Sequence, residues 1–135
     1  MAKQSGLGWT TLSVDDAAGS AQAIKNDITQ FDFATPRAVQ DVTGVDKSAM
    51  ERILLLADFS ITMSGVYNVA ANMSHDVFKT VSSTSVLRTV TLGIAGKSLA
   101  NECLLTDYPL TRDNGGAFTF KVPGVLADGT VPAWA

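Results

Sequence analysis

Several residue types that build catalytic and binding sites are scarce in this chain of 135 residues. It contains one cysteine, so it can form neither an internal disulfide nor a metal site made of cysteines. It contains one histidine, so any Ser-His-Asp or Cys-His catalytic arrangement would have to use His75. The neighbouring Ser74 and Asp76 are too close along the chain to complete such a triad. We therefore predict that the chain is not an enzyme and holds no cofactor or metal.

Charge is also sparse. Charged residues make up 17% of the chain, the formal net charge is −3, and no stretch gathers lysine and arginine. Tight binding to a phosphate backbone needs clustered basic side chains, so we expect no specific binding of nucleic acid. No run of 18 uncharged apolar residues occurs and the first residues lack an apolar core, so we expect no transmembrane helix and no secretory signal. The 46% hydrophobic content argues against disorder and predicts one domain over residues 1–135.

Alternation of apolar and polar residues dominates the segments that show a period. In "ADFSITMSGVYN", Phe59, Ile61, Met63 and Tyr67 fall on one face, which is the period of a half-buried strand. The same period occurs in "RTVTLGIA", "AFTFKV", "WTTLSV", "DITQFDF" and "ECLLTDYPLT". The pattern predicts a mainly β fold, an antiparallel sandwich or barrel of six to eight short strands.

Three segments depart from alternation. "NMSHDVFKTVSS" predicts one short α-helix with Ser74 as its N-cap. Residues 35–52 contain Pro36 and Gly44 and show no clear period, which predicts a long loop; loops of this length are usually functional or disordered. Residues 123–135 are predicted to form an extended C-terminal tail.

The tripeptide Gly96-Lys97-Ser98 raises the alternative of a nucleotide-binding enzyme, since it matches the end of a phosphate-binding loop. The full pattern requires a glycine where this chain has Thr91. The flanking alternation also does not fit the parallel α/β core of such enzymes. We therefore predict a tight hairpin with Gly96 at its first central position.

Two blocks carry more specific combinations of residues. Residues 40–81 contain a "DVTG" loop, a Glu51-Arg52 pair, a strand of the form Asp-x-Ser-Ile-Thr-x-x-Gly, and a short helical segment. Residues 88–124 contain a hairpin, a strand of the form "EC.L..Y", and a final aromatic strand. Together these blocks resemble the major tail tube proteins of long-tailed, non-contractile bacteriophages.

The resemblance implies a structural protein of the virion tail, assembled in the host cytoplasm. Subunits of that family are β-sandwiches that form hexameric rings, and the rings stack into a tube through which genomic DNA passes. The implied partners are further copies of the chain and the tape measure, terminator and distal tail proteins. DNA would pass without specific binding, and the chain would not insert into a membrane.

We expect the contacts between subunits to come from the long loop and from the two terminal tryptophans. The charged residues Asp41, Glu51, Arg52 and Asp58 could pair within the chain or between subunits, and each tryptophan could be a core residue or a terminal anchor. The predicted assembly residues are Pro36, Arg37, Asp41, Val42, Thr43, Gly44, Asp46, Lys47, Met50, Glu51, Arg52, Trp9 and Trp134.

Two alternative functions stay open. One is a β-sandwich module of a virion that binds a receptor or a carbohydrate. It predicts aromatic side chains clustered on loops, whereas aromatics make up 7% of this chain and stand mostly at strand positions. The other is a tube subunit of a contractile tail or a secretion-type system, which sequence separates poorly from a non-contractile tail.

Overall fold

The structure, a computed structural model, describes residues 3–135 and shows a mainly antiparallel β fold with one short helix. A 3-10 turn (Gly6–Gly8) precedes the first strand, and α1 (Ser74–Phe78) lies between the sixth and seventh strands. No helix within this described range is long and apolar enough to cross a membrane. The strands are β1 (Trp9–Asp15), β2 (Ala21–Ala23), β3 (Ile28–Ala34), β4 (Arg37–Asp41), β5 (Arg52–Ala57), β6 (Ser60–Val66), β7 (Arg88–Ile94), β8 (Lys97–Leu105), β9 (Leu110–Arg112) and β10 (Phe118–Leu126).

Eight strands form one antiparallel sheet in the order β2-β1-β7-β8-β10-β6-β3, with β9 paired to β10. The strand β8 pairs with β7 from Lys97 to Cys103 and with β10 only from Cys103 to Leu105, so the sheet turns a corner there. The ring of Trp9 on β1 lies 4.7 Å from the ring of Phe31 on β3, although these strands are far apart in the sheet order. The sheet therefore curls back on itself around a core, and the predicted β fold is confirmed.

The core follows the predicted alternation. Phe118 is an exception: alternation in "AFTFKV" places it on the same face as the buried Phe120 and Val122, but it is 40% exposed. It stands at the start of β10, beside Tyr67. The buried apolar residues are Leu12, Val14, Ile24, Phe59, Ile61, Met63, Val77, Phe78, Val90, Leu92, Leu99, Cys103, Phe120 and Val122.

The predicted helix is present, but Ser74 is not its N-cap. Met73 occupies the N-cap position, and Ser74 is buried with its hydroxyl donating to the carbonyl of Val66. The N–H of Ser74 donates to the carboxylate of Asp27 at 3.0 Å. A residue 47 positions earlier therefore accepts one of the first-turn N–H groups, which have no partner within a helix.

The segment predicted as a long loop contains a strand. The strands β4 and β5 pair only with each other, in a two-stranded sheet separate from the main one. The N–H of Asp58 donates to the carbonyl of Pro36 at 2.9 Å and closes the base of this hairpin. We call residues 36–58 the hairpin arm.

The turn at "GIAGKS" is confirmed, one residue earlier than predicted. Ile94 and Lys97 form the last pair of the β7–β8 ladder, so Ala95 and Gly96 are the central residues. Their φ angles are +52° and +79°, the two positive values of a type I′ turn. Lys97 therefore begins β8.

The C-terminal residues contact both β8 and β3, which are not neighbours in the sheet order. The strand β10 continues to Leu126, so the segment predicted as a tail begins inside the sheet. Beyond it, Ala135 and Ser98 exchange two backbone hydrogen bonds of 2.8 and 3.1 Å at the edge of β8. The ring of Trp134 lies 5.9 Å from that of Phe33 on β3. The end of the chain therefore covers part of an otherwise free strand edge.

Candidate assembly surface

The hairpin arm concentrates exposed apolar side chains. Within residues 3–135, none of the buried core residues lies on the arm. Soluble monomers rarely expose apolar side chains in such a contiguous group, so this surface indicates contact with another molecule. The exposed apolar side chains of the arm are Val39, Val42, Val45, Met50, Ile53, Leu54, Leu55 and Leu56.

The strand β5 is apolar on both of its faces. Ile53 pairs opposite Gln40 and Leu54 opposite Val39 in the regular part of the ladder, so these two neighbours lie on opposite faces. A shift in register follows Leu54, at Leu55 and Leu56. Leu56 is 90% exposed. Strands with continuous apolar sequence are typically covered on both sides, and an isolated two-stranded hairpin is only marginally stable in water. The sequence of β5 is thus typical of a strand that is buried on both faces, but the described residues bury neither face.

The tip of the arm, residues 42–50, is closed by the "DVTG" motif. The carboxylate of Asp41 accepts hydrogen bonds from the N–H and the hydroxyl of Thr43, at 2.9 and 2.6 Å. The hydroxyl oxygen of Thr43 in turn accepts from the N–H of Glu51 at 2.8 Å. The hydroxyl and N–H of Thr43 lower the pKa of the Asp41 carboxyl. These bonds fix the start of the tip, which presents the fully exposed side chain of Val45.

Most charged residues of the arm have no ion-pair partner among residues 3–135. Glu51 lies 3.8 Å from Lys47, an exposed pair that contributes little. Arg52 stands opposite Asp41 in the ladder, but no ion pair joins them in the described part of the chain. Arg37 donates through Nε to the carbonyl of Leu55 at 3.0 Å. These charges are therefore available to a partner, and the predicted contacts between subunits stay a prediction.

The two tryptophans of the predicted site lie away from the arm. Both contact Phe33, whose ring centroid is 6.2 Å from that of Trp9 and 5.9 Å from that of Trp134. Trp9 is partly buried and Trp134 is half exposed. The structure thus gives each a partner within its own chain.

Sequence reasoning missed the apolar body of the arm. Val39, Val45 and the run Ile53–Leu56 were not among the predicted assembly residues. The available signal was the run itself, since four consecutive large apolar residues cannot all face one core from a strand.

The side chains with catalytic potential are hydrogen-bonded within the chain or buried. The Nδ1 atom of His75 lies 3.2 Å from the hydroxyl of Tyr108, and the carboxylate of Asp76 accepts from the N–H of Asn72. Burial, with the negative charges of Glu102 and Asp128, raises the pKa of the Cys103 thiol to about 12. Across residues 3–135, no three His, Cys, Asp or Glu side chains come together as a metal site requires.

Cys103 is expected to resist thiol reagents in the folded chain. Its side chain is fully buried, and a pKa of about 12 leaves very little thiolate at pH 8. We expect Ellman's reagent to react with the native protein at least about 100-fold more slowly than with protein unfolded in urea. Comparable rates in the two states would show that β8 opens readily.

Two solved structures share this fold over nearly the whole chain. One is a chain from the tail of an empty gene transfer agent particle, determined by helical refinement with C6 symmetry. It is 16% identical with a TM-score of 0.73, and the match covers 98% of each chain. The other is a chain from the virion of a native gene transfer agent particle, 15% identical with a TM-score of 0.71, covering 98% of this chain and 99% of that one.

The sequence alone gives no such match. No protein family model matches it, and no curated protein matches it at a significant level. At 15–16% identity, the likeness establishes the fold. The resemblance to tail tube proteins is thus confirmed at the level of the fold, which this chain shares with chains of a gene transfer agent tail and virion.

Proposed function

We propose that this chain is a structural virion protein, the subunit of a tail tube in which hexameric rings stack around a channel for DNA. The observation that carries the proposal is the hairpin arm, whose strands stand outside the core with apolar side chains on both faces. The shared fold with a tail determined under C6 symmetry supports a sixfold ring.

Burial of the arm supplies a driving force of the right size. Its eight large apolar side chains are each roughly half exposed or more, and covering them would contribute on the order of 10 kcal/mol. Association costs about 4–15 kcal/mol in lost translational and rotational freedom. A single arm contact is therefore weak, and stable assembly requires several contacts closed together, as in a ring.

The free edges of the main sheet support the same proposal. The sheet ends in β2 and β3, and in the part of the chain that the structure describes each is hydrogen-bonded to a neighbouring strand on one side only. Unpaired strand edges recruit other strands. Closed rotational symmetry pairs such edges between subunits and leaves none free.

The outer faces of the strands suit a channel that DNA traverses without binding. Ser60, Thr62 and Ser64 alternate with core residues on β6, and Thr89 and Thr91 do so on β7. The net charge of −3 repels a polyanion, and binding by counterion release would need lysine and arginine instead. Other tail proteins, namely the tape measure, terminator and distal tail proteins, are the further partners that we propose.

Negative-stain electron microscopy of the purified full-length protein tests the proposal. We expect hollow tubes or stacked rings with sixfold class averages, in amounts that rise with protein concentration. A protein that stays monomeric at millimolar concentration would contradict the proposal. Binding of a monomer to glycans or to host cell envelopes would instead favour the receptor-binding alternative.

A further inference from the structure

A groove opens between β1 and β3, where the curled sheet does not close. It has a volume of about 450 Å³, and its apolar walls come from Trp9, Leu12, Ile28 and Phe31. Leu7 stands at its rim and is 98% exposed. Among the described residues no ladder joins β1 to β3, so the groove exposes apolar side chains beside an unpaired strand edge.

Lys25 supplies the charge of this groove. It alone is charged among the described residues that line it. Its Nζ lies 3.4 Å from the carbonyl oxygens of Trp9 and Thr10, which is long for a hydrogen bond. Within residues 3–135 it has no ion-pair partner.

The tip of the hairpin arm has the complementary chemistry. Val45 is fully exposed, and Asp46 follows it without an ion-pair partner in the described part of the chain. Val45 is the most exposed of the three large apolar side chains of the tip and lies next to the carboxylate of Asp46. The neighbouring Lys47 lies 3.8 Å from Glu51, which partly offsets its charge. The groove presents an aromatic-walled apolar pocket next to one ammonium group.

We propose that the arm tip of one copy docks in the β1–β3 groove of the next copy, with Val45 against the apolar wall that Trp9 and Phe31 form and with Asp46 beside Lys25. This inference rests on the proposed function and names the surface that receives the arm. The tip fits better than the body of the arm, since its cation Lys47 lies 3.8 Å from Glu51, whereas Arg37 and Arg52 on the body have no ion-pair partner in the described residues and would repel Lys25.

The contact is head to tail, because the donor and acceptor surfaces lie on different parts of one chain. Such a heterologous contact leaves a free tip on one copy and a free groove on another, so it propagates. It closes into a ring if the rotation permits and otherwise extends into a filament.

Disulfide trapping in the full-length chain tests the docking. We combine Val45→Cys with Leu7→Cys, which is 98% exposed at the rim of this groove, and oxidise assembled tubes with copper phenanthroline. Because each copy carries both partners, we expect a ladder of cross-linked multimers on non-reducing gels. Val45→Cys alone and Leu7→Cys alone should give no ladder, and buried Cys103 contributes little background.

A second groove provides the matched control. Thr111 lines a cavity of about 490 Å³ between β6, β9 and β10, and is exposed. A ladder from Val45→Cys with Thr111→Cys, and none with Leu7→Cys, would assign the receiving surface to the second groove and overturn the proposal.

Charge reversal provides a readout that does not depend on trapping. We expect Lys25→Glu and Asp46→Lys each to raise the protein concentration needed for tubes about tenfold, and the double variant to restore it. Circular dichroism confirms that each variant is folded. If wild-type tubes form but the double variant shows no rescue and no ladder appears, the docking is wrong and the tube function stands. If wild-type protein forms no tubes, the proposed function fails and the docking with it.

Discussion

Excision of the hairpin arm is expected to abolish tube formation while leaving the free energy of unfolding of the monomer within about 1 kcal/mol of wild type. Pro36 and Asp58 are joined by a hydrogen bond of 2.9 Å at the base of the arm, so a short Gly-Ser linker can replace residues 37–57. The arm contributes no residue to the buried core of the described chain, so its loss should not loosen the sandwich. Urea unfolding measures the stability, and negative-stain microscopy measures assembly.

Charged substitutions on the two faces of β5 refine that result. Leu54→Asp changes one face, and Ile53→Asp changes the other. An uncompensated carboxylate is costly to bury, so each variant should block tubes if both faces are covered. Normal tubes from one variant would mean that its face stays in solvent.

Val131→Asp is the matched control for the charged substitutions on β5. Val131 is 67% exposed, as the arm residues are, but lies in the C-terminal segment. It should leave both assembly and stability unchanged. Tubes of normal appearance from the excised chain would show that the arm is not the assembly element.

Much of the fold could be predicted from the sequence because strand burial has a local signal. Leu12 and Val14 on β1, and Ile61 and Met63 on β6, alternate with polar residues and are all buried. A period of two is set by backbone geometry, so no distant residue is needed to recognise it. The fold class followed from these elements.

The arm lacked that signal, for a physical reason. The run Ile53–Leu56 is apolar at every position, so it has no period of two and identifies no inner face. No layer of the described residues covers it, and the surface that we propose to cover it belongs to another copy of the chain. Composition could show that the segment was unusual but could not show that residues 37–41 pair with it.

Long-range backbone contacts were equally hidden. Asp27 bonds to the N–H of Ser74, 47 positions away, so the helix start could not be assigned from neighbouring residues. The turn after β7 shifted by one residue because Ala95 adopts positive φ, which alanine seldom does. Register there is fixed by pairing across the sheet rather than by turn preference.

Gly65→Ala is expected to destabilise the monomer by about 3 kcal/mol or more, the upper range for overpacking a core. A Cβ at this position would lie 2.2 Å from the carbonyl oxygen of Asp27 and 2.8 Å from Cζ of Phe120. Gly65 sits between two strands, paired with Ile28 on β3 and with Phe120 on β10. This close backbone approach explains the glycine that ends the Asp-x-Ser-Ile-Thr-x-x-Gly motif.

The Asp27 backbone cannot move aside without further loss. Its carbonyl accepts the N–H of Val66 at 2.9 Å, and its carboxylate accepts the side-chain amide of Asn68 and the N–H of Ser74, at 2.9 and 3.0 Å. Displacing Asp27 to admit a methyl group would strain or break these bonds. Each buried group left unpaired costs about 1–3 kcal/mol, so the clash should also loosen the start of α1.

Two other glycines calibrate the effect of Gly65→Ala. A Cβ at Gly93 would lie 3.1 Å from the side chain of Thr11, which can shift slightly, and a Cβ at Gly8 would meet nothing within 4 Å. Urea denaturation should therefore rank the losses Gly65→Ala, then Gly93→Ala, then Gly8→Ala, with the last near zero. If Gly65→Ala costs no more than Gly93→Ala, then Asp27 yields easily and the hydrogen bonds around it do not fix β3 against β6. A large loss confined to Gly65→Ala would instead show that this crossing is rigid, because side-chain adjustment cannot relieve a clash between backbone atoms.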